Sequence, residues 1–366
     1  MKLICDGLDL ADAVLKVSRA VNNKIQGGSL EVIKLCAKGD SLILTATDTE
    51  LTLEKTIKAD VYLEGEILVS AKVFPEFVKR LSKERIEINL IKDYELKIKY
   101  KDNEGFFQVM GSANFPLCQE VSEENSFSVI EKEFKELINK TVFCALTDDT
   151  RPLLKSCLFE IANHTIASVA LDGFRMALCK RAVENATKEY KVIVPSKTLK
   201  EISALLPGSD EILTVFVEKS YIKLKINNLV ITSRLLEGEY INYNQIVPAS
   251  FTSEVTFNKK EMEECLDRII LLASSNNNTY VKLDIKEMTM HASANSEAGN
   301  AYEYVNINLK GKDIVIAFNG AYLLEAVKSI NDDFIKMHIN ASNTPCTLTP
   351  IKDNNLLYLL LPIRLN

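Results

Sequence analysis

The chain has 366 residues, 47% of them hydrophobic and 26% charged, with a formal net charge of −6. That balance fits a folded globular chain of two to four domains. It excludes a helical membrane protein, because no apolar run reaches the ~18 residues a span needs, and the first residues lack the long apolar stretch of a secretory leader.

The eight cysteines are scattered among apolar neighbours without a CxxC pair, so they are expected to be small buried hydrophobes in a reducing cytoplasm. His164, His291 and His338 are far apart and lack metal-ligand spacing. No phosphate loop, GxGxxG turn or GxSxG elbow is present. Neither a catalytic residue, a metal nor a cofactor is expected.

In chain order, Leu10, Val14, Val17 and Val21 recur at helical spacing, within a helical window at 8–24. A strand-like run then ends in a polar corner at Leu44-Thr45-Ala46-Thr47-Asp48. A second helix is predicted at 70–83, with Val73, Phe74, Phe77, Val78 and Leu81 on one face. Arg85–Ile91 alternates with period 2 and reads as a half-buried strand. The order then repeats: a helix at 131–147, a corner at Ser168-Val169-Ala170-Leu171-Asp172, a helix at 195–206 and an alternating strand at Tyr221–Ile226. It repeats again: a helix at 258–275 with Met262, Cys265, Leu266, Ile269, Ile270 and Ala273 as its stripe, a weaker corner at Met290–Ala294, and a helix at 318–330. The second helices of successive sets start about 125 residues apart, which is domain-sized and far longer than a solenoid repeat. The reading is α+β: three similar domains, 1–121, 122–249 and 250–366, each with two helices packed on antiparallel strands that have one wet and one buried face.

The six helical windows together carry net positive charge although the whole chain is acidic. Lys72, Lys79, Arg80 and Lys83 cluster on the second window, and Lys16, Arg19 and Lys24 on the first. If all six helices shared a surface, it could face phosphates and bind without reading sequence.

The motifs that tie these elements together are Asp149-Thr150-Arg151-Pro152-Leu153-Leu154 with Leu158-Phe159-Glu160, then Leu171-Asp172-Gly173-Phe174-Arg175-Met176-Ala177 and Val194-Pro195-Ser196-Lys197. Glu237-Gly238-Glu239-Tyr240-Ile241-Asn242-Tyr243, Ile246-Val247-Pro248, Phe318-Asn319 and Leu361-Pro362-Ile363-Arg364-Leu365 follow. In this order, over its full length, the chain resembles the bacterial DNA polymerase III beta subunit family, the sliding clamps. The resemblance implies a DNA clamp fold with two inner helices and outer sheets per domain, closed as a homodimer into a ring. It implies duplex DNA bound without sequence preference, and as partners the replicative DNA polymerase, a clamp loader and other proteins carrying a clamp-binding motif.

By position, the resemblance places a partner-peptide pocket at Leu154, Leu171, Gly173, Phe174, Arg175, Met176, Ile241, Ile246, Leu359, Leu361, Pro362, Ile363 and Arg364. Phe174 stands where the family usually has histidine, Leu171 where it has threonine and Ile241 where it has proline. Gly173 is expected to permit a tight corner that exposes Arg175 and Met176. DNA contacts are expected from Lys24, Lys72, Lys79, Arg80 and Lys197. The dimer edge is expected to bring Phe106 and Phe107 against Leu271 and Leu272, with Lys101, Glu297 and Glu303 flanking. Two rival readings are an enzyme on this scaffold and a diverged clamp paralogue that holds partners without being loaded on DNA; the missing catalytic motifs oppose the first and the basic helix faces oppose the second.

Overall fold

The computed structural model describes residues 1–21, 31–81, 83–92, 94–148, 150–186, 188–275, 278–296 and 299–364; Lys24 and Glu297 lie outside the described residues. The chain groups into two compact units, one of Met1–Lys135, Val183–Glu189 and Glu201–Leu236, the other of Glu136–Ala182, Tyr190–Lys200 and Glu237–Asn366. The units cut across the three sequence repeats because the middle repeat's strands are divided between two sheets.

The first unit holds a 12-stranded antiparallel sheet. It runs from the edge strand Asn103–Gln108 through Glu95–Tyr100, Arg85–Lys92 and Lys2–Asp6 to the long strand Leu51–Leu63, then into Leu229–Arg234, Tyr221–Ile226, Ile212–Val217 and Ser126–Ile130. Val32–Lys38, Ser41–Thr47 and Gly65–Ser70 branch from it. The alternation read in the sequence is the alternation of burial: Ile222, Leu224 and Ile226 are buried while the residues between them are half-exposed.

Helix α1, Gly7–Val17, starts where Asp6 ends its strand. The Asp6 carboxylate accepts from the Leu8 and Asp9 amides at 2.8 and 3.2 Å, satisfying two otherwise orphan donors. Leu10, Val14 and Val17 are buried as expected, but the α-helix stops at Val17 and passes into a 3-10 turn at Ser18–Ala20. Helix α2 departs more from expectation, because only Val73–Val78 is helical. Pro75 lies inside that first turn, where its missing amide costs nothing; the Lys79 amide still donates four residues back to the Pro75 carbonyl, and Arg80 and Leu81 then close with shorter bonds to Phe77 and Val78 instead of extending the helix. Phe74 and Val78 are buried, whereas Val73 is 56% exposed and leaves the predicted apolar face.

Helix α3, Glu131–Asn139, is likewise shorter than its window and is followed by a 3-10 turn at Val142–Cys144. Helix α4 spans Ser196–Leu205.

The second unit holds a 13-stranded antiparallel sheet, ordered Tyr190–Pro195, Ser156–Ala162, Thr165–Leu171, Arg175–Ala182, Leu356–Leu360, Cys346–Pro350, Phe334–Ile339, Ser253–Asn258, Gly299–Lys310, Thr289–Ser296, Asn278–Lys286 and Ser274–Ser275, with Ile314–Asn319 beside Asn278–Lys286. Helix α5, Lys259–Ala273, buries Met262, Cys265, Leu266, Ile269 and Ala273, each large side chain contributing about 1.5–3 kcal/mol. Helix α6, Gly320–Ser329, is capped by Asn319, whose side chain accepts from Ala321 and Tyr322. Gly320 is required there: a Cβ would sit 2.6 Å from Val281 Cγ2 and 2.9 Å from Ile270 Cγ1. The third corner expected at Met290–Ala294 is instead the interior of the strand Thr289–Ser296.

Six of the eight cysteines are buried, and burial pushes the Cys5 and Cys157 thiols up to about 12, which keeps them protonated and inert. Cys118 differs from the expectation in being exposed.

Candidate partner-peptide groove

Two corners of the fold share one backbone device. In the first, Ser41–Thr47 turns into Leu51–Leu63 with Thr47 opposite Thr52. Asp48 accepts from the Glu50 and Leu51 amides at 3.1 and 2.8 Å, Thr49 takes φ 75°, and the Glu50 carbonyl accepts from the Arg234 amide at 2.8 Å. In the second, Thr165–Leu171 turns into Arg175–Ala182 with Leu171 opposite Met176. Asp172 accepts from the Phe174 and Arg175 amides at 2.8 and 3.0 Å, Gly173 takes φ 97°, and the Phe174 carbonyl accepts from the Leu361 amide at 2.8 Å. Each is an Asx-type turn, and the conformation that glycine adopts freely at 173 is borne by a β-branched threonine at 49.

The side chains differ. Around the first corner a cavity of about 200 Å³ is lined by Thr47, Thr52, Thr232, Tyr221, Arg234 and Leu117 among others. The second corner is apolar. Leu154, Leu171, Met176 and Leu359 are 2–4% exposed, and Phe174, Ile241 and Leu361 stand out of this apolar base at 61%, 43% and 38%.

The terminal segment forms part of the same surface. Leu356–Leu360 pairs with Arg175–Ala182, setting Leu360 opposite Arg175 and Leu359 opposite Met176. Leu361 then bonds to Phe174, and the Ile363 amide donates to the Ala317 carbonyl at 2.8 Å. Pro362 and Ile363 are half-buried and Arg364 is exposed. The segment carrying Ile241 and the half-buried Ile246 is anchored by its tyrosines: Tyr240 donates to the Ser156 carbonyl at 3.2 Å and Tyr243 to Glu160 at 2.5 Å. Burial raises both phenols well above their usual range, so both remain donors.

Two expectations fail here. Arg175 and Met176 are not exposed by the corner. Met176 is 2% accessible, and the Arg175 side chain is 10% exposed and fully engaged by its neighbours. The sequence reading also missed Arg151, whose guanidinium lies over Gly173, 3.3 Å from where a Cβ would be. Arg151 stands three residues before Leu154, and only the turn of the chain brings it to the corner.

Of the residues expected at a dimer edge, Phe106 and Phe107 lie on the strand Asn103–Gln108, Glu303 on Gly299–Lys310, and Leu271 and Leu272 in the last turn of helix α5. Phe106 is 51% exposed, with Lys97 Nζ 5.6 Å from its ring centroid. Phe107 turns the other way, edge-on to Phe77 and Phe74 at 4.9 and 5.9 Å, because neighbours in a strand face opposite sides. Leu271 is 76% exposed and Leu272 half-buried. Glu303 is not a spare charge: Arg268 holds it through two bonds of 2.6 and 2.5 Å, which keep its carboxyl below the usual range. Lys101 pairs with Glu84 at 2.7 Å.

Of the expected DNA contacts, Lys72, Lys79, Arg80 and Lys197 are all exposed. Glu76, already counted in the net charge of that window, sits among them and pairs with Lys79 at 2.7 Å and Arg80 at 3.2 Å. His291 lies edge-on to Tyr304, and His338 stacks on Phe251 at 4.0 Å, so both imidazoles have packing partners.

Comparison with known proteins agrees along the whole chain. Profiles of the N-terminal, central and C-terminal domains of the DNA polymerase III beta subunit match residues 1–119, 128–242 and 244–364. The beta sliding clamp of Bacillus subtilis is 28% identical over 367 residues, covering 97% of each chain, and that of Staphylococcus epidermidis (strain RP62A) is 28% identical over 342 residues, covering 91% of each. The crystal structure of the Bacillus subtilis DNA polymerase sliding clamp superposes with a TM-score of 0.96 at 26% identity over all of both chains. A structure from Eubacterium rectale, described as a DNA polymerase III beta subunit, does so with a TM-score of 0.95 at 30% identity over 99% of each. With its three domains in the clamp fold, this chain belongs to the DNA polymerase III beta subunit family.

Proposed function

We propose that the chain is a DNA sliding clamp: a non-catalytic subunit, built of domains 1–121, 122–249 and 250–366, that closes as a homodimer around duplex DNA and tethers the replicative polymerase through the apolar corner. The observation that carries this reading is an unfinished pattern of strand pairing. Leu51–Leu63 receives Leu229–Arg234, with Leu51, Leu53 and Lys55 opposite Ser233, Ile231 and Leu229. Arg175–Ala182 receives Leu356–Leu360 in the equivalent place, with Arg175, Ala177 and Cys179 opposite Leu360, Tyr358 and Leu356. The third member, Gly299–Lys310, pairs with Thr289–Ser296 along one side, but on the other meets Ser253–Asn258 only from Ile307 to Lys310. Among the described residues, 299–305 therefore keeps an open edge. Asn103–Gln108, the first repeat's counterpart of Leu229–Arg234, also has an open edge, pairing among the described residues only with Glu95–Tyr100.

Two open edges on one chain complement each other on two copies. Edges of this kind are normally protected, and a head-to-tail dimer would protect both and close on itself. The register follows from the other two junctions. It places Phe107 opposite the partner subunit's Gly299, Gly105 opposite the partner subunit's Ala301, and Asn103 opposite the partner subunit's Glu303. Phe106 then sits on the same face as the partner subunit's Tyr302. Leu271 and Leu272 belong near this junction, since a Cβ on Gly299 would lie 3.9 Å from Leu272 Cδ2.

The exposed Lys72, Lys79, Arg80 and Lys197 fit contacts to phosphates, which position a protein without reading bases. The clamp loader and other motif-bearing proteins would share the apolar corner. A cytoplasmic location belongs to the same reading. None of the helices among the described residues is long and apolar enough to cross a membrane. The register is tested by Asn103→Cys with Glu303→Cys, oxidised and run without reductant. A covalent dimer formed only by the double variant is the expected result, and a monomer band at dimeric native mass would refute the register.

A further inference from the structure

We propose that Arg175 is a positioning residue for partner binding: it touches no peptide, and instead ties the Asp172–Phe174 turn to helix α6 so that Phe174 is held in its binding position before a partner arrives. The proposal rests on the reading of the apolar corner as the partner groove. Its first ground is how fully the guanidinium is engaged. Nε donates to Asp172 Oδ2 at 3.0 Å, Nη2 donates to the Phe143 carbonyl at 3.0 Å, and Nη1 pairs with Glu325. Its Cζ lies 4.0 Å from the centroid of the Tyr322 ring, a cation–π contact. With 10% of the side chain exposed, little of it is left to meet a ligand.

The second ground is an internal control. Leu51 occupies the place of Arg175 in the first corner, and the turn there forms with the same two amide bonds to Asp48. An arginine is therefore not needed to make the turn. What it adds at the second corner is a link from Asp172 to Tyr322 and Glu325, both on α6. The same Asp172 carboxylate receives the Phe174 amide through Oδ1 and the arginine through Oδ2. Fixing that carboxylate fixes the residue whose ring is the most exposed apolar group of the corner, and a preformed wall avoids the cost of ordering it on binding.

The chain has no tryptophan, so Phe174→Trp supplies a single reporter on the corner. In that background, Arg175→Met is expected to lower the fluorescence anisotropy of the free protein, with the parental value restored on saturation by a Gln- and Leu-containing peptide. In the otherwise native chain, Arg175→Met should weaken the same peptide about tenfold, chiefly through slower productive association. Arg175→Lys, which keeps the charge but not the fork, should fall between. Glu325→Gln keeps α6 and removes one partner, and it replaces the methionine variant if that chain does not fold. Unchanged free-state anisotropy with weakened binding would mean that Arg175 contacts the peptide, and unchanged anisotropy with unchanged binding would mean that it does neither. Either result overturns the proposal. A native chain that binds no peptide would overturn the groove reading alone, because the anisotropy of the free protein still tests what Arg175 does.

Discussion

The first corner, at Thr47–Thr52, and the second, at Leu171–Met176, have the same Asx turn, the same left-handed residue and the same carbonyl-to-amide clamp onto the strand that follows. They differ in what the turn displays. Threonines, Glu50 and Arg234 surround the first, and Leu171, Met176, Phe174 and Leu361 the second. Duplication thus supplied a junction twice, and only the apolar copy has the desolvated anchors that peptide recognition depends on. The same comparison separates structure from function residue by residue: what both corners share builds the junction, and what only the second has is a candidate for binding.

The largest expected effect comes from moving one side chain across. Phe174→Glu places the first corner's residue in the second, at an exposed site where the fold should tolerate it. Peptide affinity should fall by about 2–4 kcal/mol, read by titration with a labelled Gln- and Leu-containing peptide. Binding as tight as that of the unaltered chain would dissolve the distinction between the corners.

The proposed third junction, between two copies, extends the comparison. Leu271→Ala with Leu272→Ala should shift sedimentation from dimer toward monomer, because the exposed Leu271 has no role in its own core at 76% accessibility. A mass that stays dimeric at every concentration would move the interface elsewhere. Within the second corner, Ile363→Ala should cost about 1–2 kcal/mol of peptide affinity with a smaller loss of stability, as suits a half-buried anchor. Met176→Ala is a poor companion test, since a residue 2% exposed is core, and its loss would cost about 2–5 kcal/mol of folding free energy first.

The smallest effect sharpens the shared part. Thr49 holds φ 75° without being glycine, whereas Gly173 meets the same demand without strain. Thr49→Gly should therefore raise the unfolding free energy by about 1 kcal/mol, read from the shift of the denaturation midpoint, and leave peptide binding alone. Gly173→Thr should lower stability and also crowd Arg151. Equal and opposite effects are not expected, because a side chain added at Gly173 also meets the Arg151 guanidinium.

Much of this was legible in the sequence for a physical reason: period-3.6 and period-2 patterns and Asp-containing corners are local signals, and they recurred at domain spacing. The starts of α1 and α6, the corners at Asp48 and Asp172 and the strand Tyr221–Ile226 fall where patterning put them. At α2 the periodicity did not report local detail: how the last turn closes behind Pro75, and how Glu76 pairs with Lys79 and Arg80 three and four residues on. The other failures were non-local. The burial of Arg175 depended on Tyr322 and Glu325, some 150 residues away in sequence. A dimer edge was expected at Phe106 and Phe107, but the register proposed for it could be read only from the pairing at the two other junctions.

The central claim is topological, and one measurement tests it most directly. The protein is loaded by a clamp loader and ATP onto nicked circular DNA, separated from free protein by gel filtration, and followed after the circle is cut once. A sliding clamp stays with the circle at a salt concentration that strips ordinary phosphate contacts, and runs off once the DNA is linear. Retention that is lost in salt on the circle, or that survives linearisation, would contradict the account.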